Sequence, residues 1–305
     1  MKARIGTFFL LLVASYLAAH DGPGIGSSVW TGVSIHDKHF IGLSWTTSTY
    51  QHSDIVIYHD DGSARMTFPR KEVLSKVRLN TGFKLKNKWL IEASIPFISD
   101  RLKINEQTNS KKGLGDLLLK VNYNLFEPDD SCSKAIAYFA RTGAGLELPT
   151  GTSALVSSQL NTDYSFIISS GSVDFVVDFV QRFQINNLGL ETKMAFRHNT
   201  KGNAINYSMN TLDWNATVHY SMKMGKLMVM TYATLQSQRN WSQEPENALI
   251  KNNSTEMQHM LSAGMRMGFK RSVVEAGFHY PILTKVNEDI PAFKNQISIQ
   301  LIQYF

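Results

Sequence analysis

From Asp174 to Ile185 the chain alternates with a period of two. Phe175, Val177, Phe179, Gln181, Phe183 and Ile185 fall on one side, and Asp174, Val176, Asp178, Val180, Arg182 and Gln184 on the other. Successive side chains of a strand point to opposite faces, so this segment is a strand with one greasy and one wet face; helical spacing would mix both sets around the axis. The pattern recurs. Val77, Leu79, Thr81, Phe83 and Leu85 oppose Lys76, Arg78, Asn80, Lys84 and Lys86, and Leu117, Leu119, Val121, Tyr123 and Leu125 oppose Asp116, Lys120, Asn122 and Asn124. Leu212, Trp214, Ala216, Val218 and Tyr220 oppose Asp213, Asn215, Thr217 and His219, and Val274, Ala276, Phe278, Tyr280 and Ile282 oppose Glu275, Gly277 and His279.

A soluble antiparallel sheet also alternates. Three features favour a membrane barrel. The alternating segments run to about ten to fourteen residues, where soluble strands average about five or six and tilted membrane-spanning strands need ~9–11. Aromatic residues crowd the strand ends, at Trp89, Phe97, Tyr123, Phe126, Tyr220, Phe269, Tyr280, Tyr304 and Phe305, as an interfacial girdle requires. The last strand carries Ile297, Ile299 and Leu301 on one face and closes on Phe305, in the manner of the C-terminal insertion signal of bacterial outer-membrane proteins, with Gln303 where an aromatic residue is usual.

Composition excludes other classes. With 43% hydrophobic residues the chain is not a disordered polypeptide, and a lone cysteine, Cys132, allows neither an internal disulfide nor a thiolate metal site. The net charge of +6 is dispersed among acids rather than gathered into a footprint, so no nucleic-acid partner is expected. At the N-terminus, Lys2 and Arg4 precede the apolar run Phe8–Ala14 and the small residues Ala18 and Ala19, the layout of a secretory signal peptide over residues 1–19. Residues 20–39 then form a plug or a periplasmic lead-in, and residues 40–305 the barrel.

The expected fold is all-β: an antiparallel up-and-down transmembrane β-barrel of about twelve strands, an even number being usual for single-chain bacterial barrels. The strands fall near 40–48, 73–87, 89–97, 114–126, 134–148, 162–170, 173–185, 207–221, 227–238, 257–269, 272–284 and 294–305. Short connections at 87–89, 127–133, 170–172, 222–226 and 270–271 then alternate with longer ones at 49–72, 98–113, 149–161, 186–206, 239–256 and 285–293. Tight turns face the periplasm and longer loops the exterior. Leu190–Arg197 is read as a strand extension above the membrane, because admitting it as a strand makes the count odd.

At Gly113-Leu114-Gly115-Asp116 with Leu117–Tyr123, and again at Gly145-Leu146-Glu147-Leu148-Pro149-Thr150-Gly151, the chain resembles the outer-membrane family named for the meta-pathway of phenol degradation. That family is similar in layout to long-chain fatty acid channels. The resemblance covers roughly residues 40–305 and implies a porin-like barrel with a transport role. The segment Gly26–Trp45 also looks like family members with a cysteine-rich metal-type motif there; this chain lacks those cysteines, so a metal role does not carry over.

The residues expected to line the lumen or substrate pathway are Asp116, Lys120, Arg141, Glu147, Asp174, Asp178, Arg182, His219, Arg266 and Glu275, with Lys76, Arg78, Lys84, Glu92, Asp213 and His279 on the same inward set. A barrel of this size is narrow, so these charges either pair into a wall-filling network or contact a small solute. His20, His36, His39, His52 and His59, with Asp21, Asp37, Asp54, Asp60 and Asp61, make an N-terminal region that is either a solvated polar stretch or a candidate zinc, copper or nickel site. No nucleophile motif such as Gly-x-Ser-x-Gly and no dinucleotide fingerprint occurs, so no enzyme and no cofactor are expected. The expectation is a bacterial outer-membrane protein that passively passes a small solute, hydrophobic, aromatic or metal-linked. Its partners are membrane lipid, that solute, and the barrel-insertion machinery acting on the strand that ends at Phe305. The alternatives are a structural or adhesive surface protein and a lipid-modifying barrel enzyme.

Overall fold

A computed structural model describes residues 39–52, 70–86, 88–104, 107–126, 136–151, 171–200, 208–243, 255–285 and 292–305. Its strands are β1 (Phe40–His52), β2 (Arg70–Leu85), β3 (Trp89–Ile104), β4 (Gln107–Leu114), β5 (Leu117–Phe126), β6 (Ile136–Leu148), β7 (Asp174–Ile185), β8 (Leu188–Asn199), β9 (Ser208–Met224), β10 (Leu227–Gln243), β11 (Thr255–Phe269), β12 (Ser272–Lys285) and β13 (Ala292–Tyr304). Sequence neighbours pair antiparallel except β4 and β5, which stack end to end along β3, and β1 closes onto β13. Thirteen strands therefore make twelve staves of a closed barrel.

Closure leaves no unpaired edge, which a bilayer demands of a spanning sheet. The outward positions are apolar along every stave: Leu79, Phe83, Trp89, Val121, Phe175, Val177, Phe196, Val218, Leu261, Phe278 and Ile297 are all exposed. The inward positions are mostly polar and buried, among them Ser44, Arg78, Asn122, Arg141, Asp178, Thr217, Gln236, Glu275 and Gln300. The sequence alternation thus maps onto outside and inside. An inverted arrangement would set the charges in lipid.

Both described chain ends of the barrel, at Phe40 and Tyr304, lie beside each other and at the same end as the β2–β3, β7–β8, β9–β10 and β11–β12 turns. Lys86, Asn186, Gly225 and Lys270 each open one of these turns with positive φ, at 51°, 52°, 63° and 54°. In the two-residue turns at 186–187, 225–226 and 270–271 the left-handed residue is the first, a position where positive φ suits the twist of the flanking strands. Short turns at one end and longer connections at the other place the chain termini on the periplasmic side.

Four expectations need correction. Leu188–Asn199 is a full stave, paired to β7 from Asn199 to Leu188 and to β9 from Leu188 to His198. Its Glu191 and Lys193 are buried inward while Leu190, Met194 and Phe196 face out; Asn186-Asn187 is its hairpin turn, a signal the strand count overrode. Residues 170–172 accordingly do not form a tight periplasmic turn, because Gly171 and Ser172 lead into β7 at the long-loop end. The expected strand at 162–170 lies outside the described residues, as do residues 1–38 and the 127–133 connection. Residues 98–113 are not a loop: β3 continues to Ile104 and β4 returns along it, from Gln107 against Ile104 to Leu114 against Phe97. Its outward positions Ser99, Arg101, Lys103, Thr108, Ser110 and Lys112 are polar where a stave is normally apolar, so the usual greasy face was missing. Finally, Tyr304 does not join the outer girdle. It turns inward, 9% exposed, with its ring 6.5 Å from that of Phe40; Trp89, Phe126, Tyr220, Phe269, Tyr280 and Phe305 do face outward.

Candidate functional site

The interior is divided by charge. Along the middle of β13 and β1 the inward residues are Ser44, Thr46, Ser48, Gln296, Ser298 and Gln300, none of them charged. Across the barrel, β5 to β8 present Lys120, Arg141, Glu147, Asp174, Asp178, Arg182, Glu191 and Lys193. All ten residues expected from the sequence to line the lumen point inward, but they separate into groups with different surroundings.

Lys120 is the hub of the first group. Its Nζ lies 2.8 Å from Asp178 Oδ2 and 3.0 Å from Glu92 Oε2, and Arg141 Nη1 approaches Glu92 Oε1 at 3.6 Å. These contacts join β3, β5, β6 and β7 through the lumen. Arg197 reaches Glu147 at 3.0 Å, linking β8 to β6 across β7. Asp174 sits directly opposite Glu147 in the β6–β7 register, and its Oδ1 accepts a 2.6 Å bond from the Ser172 hydroxyl.

Lower in the barrel, Arg182 donates to Glu191 and Arg266 to Glu275, each through Nε and Nη2 to one carboxylate oxygen. Tyr232 donates its hydroxyl to the other Glu275 oxygen at 2.9 Å. To get there the Tyr232 side chain crosses β11 and β12 over Gly264 and Gly277, where an added Cβ would lie 2.3 Å and 2.7 Å from its hydroxyl oxygen. Only glycine leaves that path open. His219 is buried at 4% exposure beside Gly189, facing the same region.

Asp116 has a different place. It lies at the break between β4 and β5, where its Oδ1 accepts from the Gly151 amide at 3.1 Å, while the Leu117 amide donates to Thr150 Oγ1 at 3.0 Å and the Gly115 amide to the Pro96 carbonyl at 2.8 Å. The two short motifs that carried the resemblance, 113–116 and 145–151, meet here as a clasp between staves.

A cavity of about 80 Å³ lies within the charged sector, lined by Arg78, Glu92, Lys120, Asp178, Lys193 and Asp213 among others. Arg78 Nε, Asp178 Oδ1 and Asp213 Oδ1 are buried there without a hydrogen-bond partner among the described residues. Apolar clusters bracket the polar interior: Tyr50, Leu74, Ile98, Met260 and Phe293 toward the exterior, and Phe40, Leu90, Val273, Ile302 and Tyr304 toward the periplasm.

Sequence reasoning missed two features of this interior. Glu191 and Lys193 were passed over with β8, although their period-two spacing was visible. Nor did any motif place serines beside His279, yet its Nδ1 is 2.6 Å from Ser262 Oγ and its Nε2 3.2 Å from Ser298 Oγ, because cross-strand register alone brings them together. His20, His36 and His59 lie outside the described residues. Among the described residues no three His, Cys, Asp or Glu side chains are grouped as metal ligands.

No protein-family model matches the sequence, and no curated protein matches it either. Solved structures do match in shape. An outer-membrane channel from Pseudomonas putida F1 superposes with a TM-score of 0.63 at 10% identity, covering 92% of this chain and 100% of that one. The chain folds as a bacterial outer-membrane β-barrel. The β domain of a Bordetella autotransporter, BrkA, is also similar, with a TM-score of 0.51 at 10% identity over 88% of this chain and 100% of that domain. At such identity the likeness concerns the fold of this outer-membrane barrel and not its solute. Its apolar outer wall meets membrane lipid and its polar wall encloses the interior.

Proposed function

We propose that this barrel is a passive conduit for a small polar solute, drawn through by its gradient. The observation that supports this most is the interior itself: oppositely charged groups around a cavity of about 80 Å³, with buried donors and acceptors on Arg78, Asp178 and Asp213 left unbonded by the described wall residues. Such a space holds a few waters or one small molecule, and its unbonded polar atoms favour an occupant with both donors and acceptors. The aromatic solute implied by the family resemblance fits the apolar clusters at the two ends and not this middle. A metal-linked solute finds no group of three ligand side chains among the described residues to support it.

The reading includes no catalytic step. Ser262, His279 and Ser298 are each 4% exposed or less and face away from lipid, which favours a structural role for this cluster over a lipid-modifying one. The surface-protein reading rests on the external connections alone.

Liposome swelling by refolded protein tests the proposal. Small amino acids and sugars are expected to enter faster than phenol-sized aromatic alcohols, above the protein-free leak. A correctly folded barrel that leaves swelling at background, and that shows no conductance in planar bilayers, would overturn it.

A further inference from the structure

Lys71, Arg101, Lys103 and Lys112 stand together on the outward face where β2, β3 and β4 meet at the external end, and all four are exposed. Lys71 is the direct cross-strand partner of Lys103. Lys112 is opposite Ser99, one outward position below Arg101 on β3. Direct partners on one face hold their Cβ atoms about 5 Å apart and diagonal ones about 7 Å, so the four cations form one contiguous patch.

No carboxylate shares this face among the described residues. The other outward positions are Val73, Ser75, Ser99, Thr108 and Ser110, and β1 alongside contributes Thr47, Thr49 and Gln51. The nearby acid Asp100 points inward at 4% exposure, opposite Lys111. None of the four cations makes an ion pair within the described residues. Like charges directly opposite each other destabilise a sheet, so an anion seated on this face would relieve the repulsion. Elsewhere on the upper outward face the described lysines and arginines stand singly: Arg239 over the Trp241 ring at 6.0 Å, and Lys294 on β13.

The height of the patch names the source of that anion. Trp89 marks the lower girdle on β3, and Arg101 lies twelve positions further along it. At ~3.3 Å per residue and a tilt of ~40° this is roughly 30 Å along the membrane normal, just above an apolar band ~25 Å tall. Phe97 and Leu114, direct partners below the patch, belong to that band. The cations therefore stand at the headgroup level of the outer leaflet.

We propose that Lys71, Arg101, Lys103 and Lys112 bind the phosphates of the anionic glycolipid of the outer leaflet, fixing one such lipid against the β2–β4 side of the barrel. This rests on the outer-membrane placement and is independent of the conduit. Guanidinium and ammonium groups bind phosphate through charge-assisted hydrogen bonds, with arginine offering a two-pronged fork.

The probe is diphosphoryl lipid A added to the refolded barrel in neutral detergent, read by native mass spectrometry and by thermal unfolding, with monophosphoryl lipid A and inorganic phosphate as the other arms. The wild-type barrel is expected to bind the diphosphoryl lipid at least about tenfold more tightly than a K71Q/R101Q/K103Q/K112Q variant, given that each such cation near an anionic surface contributes appreciably. A K223Q/K226Q variant, altered at the periplasmic end, should keep wild-type affinity. Equal affinity in the quadruple variant overturns the proposal, as does equal stabilisation by inorganic phosphate. Should the quadruple variant not fold, the wild-type comparison decides: equal affinity for the two lipid A forms overturns it, and preference for the diphosphoryl form supports it.

Discussion

Arg182 and Glu191 face each other directly across β7 and β8, and Arg266 and Glu275 stand in the same relation across β11 and β12. Each arginine sits nine residues before its glutamate, the two joined by a hairpin whose turn opens on a left-handed residue, Asn186 or Lys270. Each delivers Nε and Nη2 to a single carboxylate oxygen, and the side chains are 10% exposed or less. The repetition shows how a short turn can set a buried ion pair: register fixed at the turn carries the partners to the same level four residues up each strand.

Removing one member of such a pair strands a buried charge. Glu275→Gln is expected to lower the unfolding free energy by about 3 kcal/mol, whereas replacing Arg266 and Glu275 together by apolar residues should cost far less. Equilibrium urea unfolding in lipid vesicles, arranged as a double-mutant cycle, measures both. Equal losses for the single and double variants would contradict the account.

Lys120 holds two carboxylates, on Glu92 and Asp178, at 3.0 and 2.8 Å. Its neutralisation in Lys120→Gln makes the charged sector one unit more negative. The ratio of cation to anion permeability should rise on the order of threefold, because a confined charge concentrates counter-ions in a low-dielectric passage. Reversal potentials across a salt gradient in planar bilayers check the sign.

Phe40 packs with Leu90, Val273, Ile302 and Tyr304 at the periplasmic end of the lumen. Phe40→Ala is expected to raise solute flux in the swelling assay while lowering stability by about 3 kcal/mol, the usual cost of deleting a buried phenyl ring. Unchanged flux would mean that passage is limited elsewhere, at the Tyr50–Phe293 cluster.

Asp116 distinguishes a wall residue from a clasp. Its carboxylate bonds the Gly151 amide at 3.1 Å where β4 gives way to β5. Asp116→Ala should reduce stability by about 1–3 kcal/mol through the stranded amide and leave ion selectivity unchanged. A shifted reversal potential would instead place Asp116 on the solute path.

Phe305 ends the last stave exposed, with its amide bonded to the His39 carbonyl at 2.9 Å. Deleting it is expected to slow assembly in cells, read as the loss of heat-modifiable mobility in outer-membrane fractions, while the purified chain still refolds in detergent. Normal assembly in cells would remove the terminal residue from the insertion signal.

The period-two pattern alone was enough to predict a barrel of about twelve staves, and to sort Asp178, Arg182, His219, Arg266 and Glu275 to its interior, because side-chain direction in a strand follows from chain geometry without reference to any neighbour. The placement of β8 was legible in Asn186-Asn187 and in the alternation of Leu190, Glu191, Thr192 and Lys193, but counting strands put the stave elsewhere. The β3–β4 extension left only a faint trace, the alternation of Ile98, Leu102 and Ile104, since its outward residues Arg101, Lys103, Ser110 and Lys112 are polar where a membrane stave is apolar.

Alternation within one strand carries no information about which strand stands opposite or at what height. That is decided by register around the closed ring, so the sequence determined which side chains face inward, and only the tertiary structure decided that Lys120 meets Asp178, that Arg266 meets Glu275, that Tyr232 passes over two glycines, and that four outward cations share one patch. Those relationships depend on cross-strand spacings of a few ångströms, and a one-residue slip would change every one of them while leaving the hydrophobic pattern of each separate strand intact.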